Sequence, residues 1–515
     1  MYLTQGLHRA LQQTPDALMT VCGERRQTVR QVADRVARLA GALRGLGVAD
    51  GDRVAMLSLN SDRYHEYLLA VPWANAVLNP VNVRWSPAEI VYSLQDSATT
   101  VLLVDDAFAP MLPGLREAYP ELTTVIHTGD GELPAGALAY EELIAGAEPI
   151  KDARRGGDEL AGVFYTGGTT GFPKGVMLSH SNLMVSALGS TASGSLMSPG
   201  ACLLHVAPMF HLADLAAWCA VLSLGGSHVF VPAFDPVAVF TAIAEQRITN
   251  VLLVPVMIQL LVDHPAVSEY DLTSLQAILY GASPIAQAVI ERTMKVFPNA
   301  LLTQAFGMTE LAPVATLLSP ADHREPTLQR SAGRAAPHSE ILVADPDDHE
   351  VPRGTVGEIL VRGGHVMLGY WNQPNESAQV LRGGWMHTGD VGYLDDAGYL
   401  FVVDRLKDMI VTGGENVYSA EVENAVAKHP GVASCAVIGV PDPEWGERVH
   451  AVVVLQPGVA LTHDAVRAHV KTLIAGYKAP RSTDFVAALP ISGTGKILKR
   501  ELRKQYWGEN ARQIH

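Results

Sequence analysis

Across residues 28–46 (TVRQVADRVARLAGALRGL) apolar side chains return every three or four positions and stop before Gly47, which predicts an amphipathic helix with a glycine exit. Residues 53–59 and 100–104 are short apolar runs and predict strands. Strands alternating with helices imply parallel sheets covered by helices. The same reading predicts a buried strand over 160–165, a helix starting at Ser179, a helix over 212–224 and a strand over 275–279. Two more strands, over 434–440 and 449–455, lie near the end. Residues 105–158 are rich in Gly, Ala and Pro and predict nothing regular, and no internal repeat or low-complexity tract occurs. The greasiest stretches, 215–224 and 251–262, are too short or too interrupted to span a bilayer.

Composition narrows the class. A chain of 515 residues, 48% hydrophobic and 18% charged, is a globular protein of two or more domains. A net charge of −15 argues against a general nucleic-acid or anionic-membrane surface, so an anionic ligand must be held by local cations and backbone amides. Cys22, Cys202, Cys219 and Cys435 are scattered without a CxxC pair, which fits a reduced chain without disulfides or zinc. The first residues lack the apolar core of a secretory signal. The expectation is a soluble, cytoplasmic protein.

The chemistry concentrates at residues 165–176, YTGGTTGFPKGV. Gly167, Gly168 and Gly171 allow backbone N–H groups to turn inward, Thr166, Thr169 and Thr170 add hydroxyl donors, and Lys174 adds a positive charge. Such a loop suits a polyphosphate, although the same residues also suit a solvent-exposed turn. It is not a Walker A loop, because no GxxxxGK[ST] pattern occurs in the chain.

Between a predicted strand and a predicted helix, this string resembles the phosphate loop of the adenylate-forming superfamily, which includes acyl-CoA synthetases, carrier-protein adenylation domains and beetle luciferases. That family usually has serine where Gly167 stands. The resemblance continues in order through at least five further strings. Leu279-Tyr280-Gly281-Ala282-Ser283-Pro284 resembles a wall of the adenine and acyl sites. Gln304-Ala305-Phe306-Gly307-Met308-Thr309-Glu310 resembles the element that stacks on adenine, contacts the α-phosphate through Thr309 and holds Mg²⁺ through Glu310, with Thr166 as a second metal-side oxygen. Phe306 stands where tyrosine is usual and keeps the π-face. Gly369-Tyr370-Trp371-Asn372 resembles a strand and turn of mainly structural role. Asp390 resembles the carboxylate that accepts from both ribose hydroxyls. Arg405 resembles the arginine on ribose and phosphate, Lys407 the interdomain hinge, and Gly413-Gly414-Glu415 the loop that meets the pantetheine arm of coenzyme A. Lys496, after Ser492-Gly493-Thr494-Gly495, resembles the catalytic lysine. Tyr477, Lys478 and Arg481 form a basic-aromatic cluster that suits the coenzyme A nucleotide, or simply a solvated surface.

His211, Leu215 and Trp218 fall on one helical face. A histidine beside apolar neighbours is more often a satisfied core residue. The resemblance instead implies a catalytic and acyl-pocket role for His211, with Leu215, Trp218, Tyr280, Met308 and Leu311 lining the pocket. Amino-acid-activating relatives carry aspartate at the His211 position, so an acid without an α-amine is expected. Acetate-activating relatives place tryptophan just beyond the threonine; here Leu311-Ala312-Pro313 follow, which predicts an open tunnel.

The resemblance implies an α/β fold with a large N-terminal domain, residues 1–404, of helix-covered mixed β-sheets with a distorted β-barrel, and a small mobile α+β C-terminal domain, residues 405–515. It implies an ATP-, Mg²⁺- and coenzyme A-dependent acid–CoA ligase for a medium- or long-chain fatty or aryl acid, the acid itself being unreadable. Oligomeric state is equally unreadable, a homodimer being one option. The rivals are an acyl-AMP ligase that loads a carrier protein, a luciferase-like oxidase and a pseudoenzyme that senses nucleotide.

Overall fold

The computed structural model describes residues 1–166, 173–194, 196–283, 285–412, 415–491 and 497–507. The chain divides into two compact units: Met1–Ile341 with Val361–Met386, and Leu342–Leu360 with His387–His515.

The first unit is built on two sheets. One runs in the order Arg334–Ala335, Thr316–Leu318, Leu301–Phe306, Ala277–Gly281, Asn250–Leu253, Cys202–His205, Ser227–Phe230, Leu18–Cys22 and Arg25–Thr28. Its six central strands are parallel and its outer ones antiparallel. The second runs Gly369–Tyr370, Lys174–Ser179, Leu160–Thr166, Val77–Pro80, Arg53–Leu57, Val101–Val104, Thr124–His127 and Leu138–Ala139. Here Gly369–Tyr370, Lys174–Ser179 and Leu160–Thr166 pair antiparallel in turn, and from Leu160–Thr166 onward every pairing is parallel. The expectation of parallel sheets thus holds for the centres. The edges reverse because short hairpins, such as the one joining Leu160–Thr166 to Lys174–Ser179, can only return antiparallel.

Helices form where the sequence supplies ends. The helix Val29–Gly45 begins with a capping box between Thr28 and Gln31, and His180–Ala192 with one between Ser179 and Asn182. Apart from Asp214 and Ser223, Leu212–Leu224 is apolar on every face, which explains why most of it is buried. It ends at Gly225, whose φ of 72° glycine adopts without strain. Residues 105–158, where no regular element was predicted, hold two short strands and the helices Leu112–Ala118 and Tyr140–Gly146.

The second unit carries two smaller sheets. One runs Glu340–Ala344, Gly357–Arg362, Met386–Leu394 and Leu400–Arg405, most of its length lying in this unit. The other runs Glu415–Val417, Ile410–Thr412, Gly446–Leu455 and Val432–Asp442, with Ser482–Phe485 also pairing Gly446–Leu455. The helices Ser419–Ala427 and His463–Lys471 share an apolar core with this second sheet through Val422, Val426, Val466 and Val470. No helix among the described residues is long and apolar enough to cross a membrane, and the four cysteines are free thiols.

Candidate active site

In the first unit the chemistry gathers at the carboxyl ends of parallel strands, where open α/β sheets bind ligands. Thr166 closes the strand Leu160–Thr166 and faces Lys174, the first residue of the returning strand. The loop between them includes Gly167, Gly168, Thr169, Thr170 and Gly171, which lie outside the described residues. Its base is pinned: the Tyr165 hydroxyl donates to Asp96 Oδ2 at 2.6 Å, and Trp371 Nε1 donates to the Asp96 carbonyl at 2.9 Å.

Gly281 ends a second strand. A Cβ there would stand 2.3 Å from the Ala305 carbonyl oxygen, so only glycine lets these strand ends approach. Ala282 follows at φ 68°, a left-handed conformation costly for a residue with a Cβ, and Ser283 is exposed. Gln304 and Phe306 lie in the adjacent strand and are partly exposed at its carboxyl end. Gly307 then lets the chain pass under Pro313, whose carbonyl oxygen would be 1.9 Å from a Cβ. Met308 is extended, and Thr309, Glu310 and Leu311 form a single 3₁₀ turn.

Glu310 is only 7% exposed, and its Oε1 accepts the Tyr370 hydroxyl at 2.8 Å. Burial, then the charge of Glu310, pushes the Tyr370 phenol up, so it stays a donor. The Glu310 carbonyl also accepts Met367 N–H at 2.9 Å. Lys174 Nζ lies 5.4 Å from the centre of the Tyr370 ring and pairs with Glu376. Tyr370 therefore stands between the Glu310 carboxylate and Lys174, the residue that opens the returning strand.

His211 caps the helix Leu212–Leu224. Leu215, Trp218, Tyr280 and Leu311 are all buried. The Trp218 indole is enclosed, its N–H donating to His65 Nδ1 at 2.8 Å. Tyr280 meets His323 Nε2 at 2.8 Å through its hydroxyl. Beneath the helix runs a buried polar chain in which Asp214 Oδ2 meets His205 Nδ1 at 2.7 Å and His205 Nε2 meets His228 Nδ1 at 2.9 Å.

In the second unit, Asp390 and Arg405 are cross-strand partners and pair at 3.1 Å. The backbone N–H of Asp390 is held by Thr388 Oγ1 at 3.1 Å. Next to Arg405, Asp404 accepts from the backbone and hydroxyl of Ser419, which starts the helix Ser419–Ala427. Burial, then Arg405, lowers the Lys407 ammonium to about 8. Lys478 pairs with Glu421 at 2.7 Å, and Arg481 stacks over Trp445 at 4.4 Å. Tyr477 is exposed, as is Glu415 in the strand Glu415–Val417. Gly413, Gly414 and Lys496 lie outside the described residues.

A family model described as AMP-binding enzyme matches residues 7–371, and one described as AMP-binding enzyme C-terminal domain matches residues 421–496. The chain belongs to the AMP-binding enzyme family. It is 41% identical over 499 residues to a feruloyl-CoA synthase of an Amycolatopsis species, covering 97% of this chain and 98% of the relative. It is 36% identical to the fatty acid–[acyl-carrier-protein] ligase ScoC of Streptomyces coeruleorubidus, covering 98% and 96%. Among solved structures, the amide bond synthetase McbA of Marinactinospora thermotolerans superimposes with a TM-score of 0.86 at 30% identity, covering 98% of this chain and 99% of that one.

The strings quoted from the sequence thus sit in a chain of this family, but sequence reasoning missed two residues in the first unit. Tyr370 belongs to a string read as structural, and Glu376 to no string at all. Both act on residues far away in sequence, so no local spacing marks them.

Proposed function

We propose that the chain is an AMP-forming acid–CoA ligase that converts a carboxylic acid without an α-amine, of medium- to long-chain fatty or aryl type, first to an acyl-AMP and then to a coenzyme A thioester. The observation that carries the reading is the Glu310–Tyr370–Lys174 arrangement: a buried carboxylate and a cation fixed around one tyrosine beside the base of the phosphate loop. The name of the feruloyl-CoA synthase relative supports an aryl or larger acid and coenzyme A as acceptor.

In the first step an oxygen of the substrate carboxylate attacks the α-phosphorus of ATP, the bond to the bridging oxygen breaks, and pyrophosphate leaves. The residues align these groups and stabilise charge. Thr166–Gly171 and Lys174 receive the outer phosphates, Thr309 the α-phosphate, and Phe306 stacks on adenine beside Gly281, Ala282, Ser283, Gln304 and Gly307. Asp390 and Arg405 take the ribose, while Lys496 meets the developing charge. The Glu310 carboxylate, buried and held by a phenol, is a hard oxygen donor that fits Mg²⁺, with the Thr166 hydroxyl as a second ligand. Bound there, the ion neutralises phosphate charge. His211, Leu215, Tyr280, Met308 and Leu311 surround the acyl group, whereas Trp218, enclosed and bonded to His65, stays out of its reach.

In the second step the thiol sulfur of coenzyme A attacks the acyl carbon, the carbon–oxygen bond to AMP breaks, and the thiol proton leaves to solvent. Residues 405–515 turn about Lys407 between the steps, withdrawing Lys496 and bringing Gly413-Gly414-Glu415 to the pantetheine arm. Tyr477, Lys478 and Arg481 hold the nucleotide end of coenzyme A.

The test separates the half-reactions. Lys496→Ala should lower acid-dependent ATP–pyrophosphate exchange by about 10²- to 10³-fold, while leaving thioester formation from synthetic acyl-AMP nearly intact. Equal loss in both contradicts a two-stage site. Wild-type exchange that yields product with a holo-carrier protein but not with coenzyme A would move the chain to the carrier-loading class.

A further inference from the structure

We propose that Glu376 is a competing counter-ion for Lys174: it occupies the ammonium that the ATP phosphates must claim, and so sets the affinity of the site for nucleotide. This rests on the reading above that Lys174 meets phosphate.

The geometry is confined to the first unit. Lys174 is the first residue after the phosphate loop to enter the strand Lys174–Ser179, and its side chain keeps 21% of its exposure. Its ammonium is paired with the Glu376 carboxylate, itself 35% exposed. Glu376 lies in the first turn of the helix Pro374–Val380.

That helix is not free to drift. Ser377 Oγ accepts the Tyr370 N–H at 2.8 Å and donates to the Gln373 carbonyl at 2.7 Å, locking the helix to the segment that carries Tyr370. Tyr370 in turn reaches Glu310, and its ring lies beneath the Lys174 ammonium. Glu376 is thus held at a fixed place relative to both the loop lysine and the carboxylate assigned to the metal.

A triphosphate carries more charge than a single carboxylate and offers several acceptor oxygens, so it can take Lys174 from Glu376. The exchange strands no charge, because Glu376 is exposed enough to be hydrated once released. The site therefore trades one ion pair for another. The pair being broken is partly exposed to solvent, so its worth is modest. Its removal should tighten nucleotide binding by about two- to fivefold, the fold-change that matches a surface-type ion pair. Glu376 touches no reacting atom in this scheme, so its effect belongs to binding and not to the chemical step.

The experiment is calorimetric titration of Mg–ATP into the full chain without acid, combined with ATP–pyrophosphate exchange kinetics. Glu376→Gln keeps the shape of the side chain and removes its charge. It should lower Kd and KM for ATP by about two- to fivefold and leave kcat for exchange within about twofold of wild type. Lys174→Ala should weaken ATP, and in the Lys174→Ala background Glu376→Gln should change nothing. A merely structural Glu376 would shift kcat and KM together, and would act equally in both backgrounds. If Lys174→Ala weakens ATP but Glu376→Gln leaves Kd unchanged or raises it, the competition is overturned while the role of Lys174 stands. If Lys174→Ala leaves ATP affinity untouched, both fall.

Discussion

The Tyr370 hydroxyl donates to Oε1 of Glu310 at 2.8 Å, across 60 residues of sequence. A hydrogen bond to a buried charged acceptor contributes about 1.5–3 kcal/mol, so this phenol is well able to fix the direction of the carboxylate. Tyr370→Phe keeps the ring beneath Lys174 and deletes only that donor. We expect kcat/KM for adenylation to fall about tenfold, with a higher Mg²⁺ concentration at half-maximal rate. A Mg²⁺ titration curve identical to wild type would show that Tyr370 does not orient Glu310.

That bond also marks the limit of what the sequence discloses. Helices with local start signals were legible: Ser179 and Asn182 announce His180–Ala192, and the apolar run over 212–224 is the observed helix. So was the order of the chemical strings, because each is a short continuous stretch. Pairings between strings were not. Asp390 and Arg405 were each assigned to ribose, yet nothing in their spacing marks them as cross-strand partners 3.1 Å apart. The polar chain Asp214–His205–His228 was equally hidden, since its members sit among residues that read as plain core. Hydrophobic periodicity reports which face is buried, and is silent about polar groups buried in pairs.

Trp218 offers a second test. It was expected to line the acyl pocket, and its indole is enclosed and donates to His65. Trp218→Phe removes that donor from a buried histidine nitrogen, at a cost of about 1–3 kcal/mol. Trp218→Ala should cost about 3–5 kcal/mol. Urea midpoints should fall in that order, while the ratio of kcat/KM between octanoate and benzoate stays as in wild type. A changed ratio would put the indole within reach of the acid.

Stability should also depend on mild acid. Burial, then the charge of His205, lowers His65 to about 3, and burial, then His65 and His205, drives His228 well down. Both therefore fold as neutral rings, whereas in the unfolded chain they titrate near the ordinary value of about 6.5. With these two rings the folded state binds fewer protons, so their contribution to stability is constant above about pH 6.5 and falls as pH drops below it. The loss grows by about 1.4 kcal/mol per pH unit for each neutral ring. Between pH 6.5 and 5 the two together should remove about 3 kcal/mol, before paired carboxylates such as Asp130 and Glu141, held below their ordinary values, begin to protonate. Equal urea midpoints at pH 7 and pH 5 would contradict this assignment.

The choice of acid follows from the same helix. Position 211 is His where amino-acid-activating relatives carry aspartate, so this position itself offers an ammonium no carboxylate. The acidic side chain one turn on, Asp214, is 1% exposed and engaged by His205 at 2.7 Å. Burying an unpaired ammonium costs several kcal/mol, so alanine and other amino acids should be rejected strongly. No tryptophan follows Thr309, since Leu311-Ala312-Pro313 come after Glu310, so acetate would leave apolar wall unfilled. Each methylene left out forfeits about 0.8 kcal/mol, or about a fourfold loss in kcat/KM. We therefore expect kcat/KM to climb from acetate through butyrate to octanoate or an aryl acid, and to level off where the acyl group meets the end of its pocket. Thioester formation measured across acetate, butyrate, octanoate, laurate, benzoate, ferulate and alanine decides the matter. Acetate or alanine as the best substrate would overturn both the open pocket and the missing counter-ion.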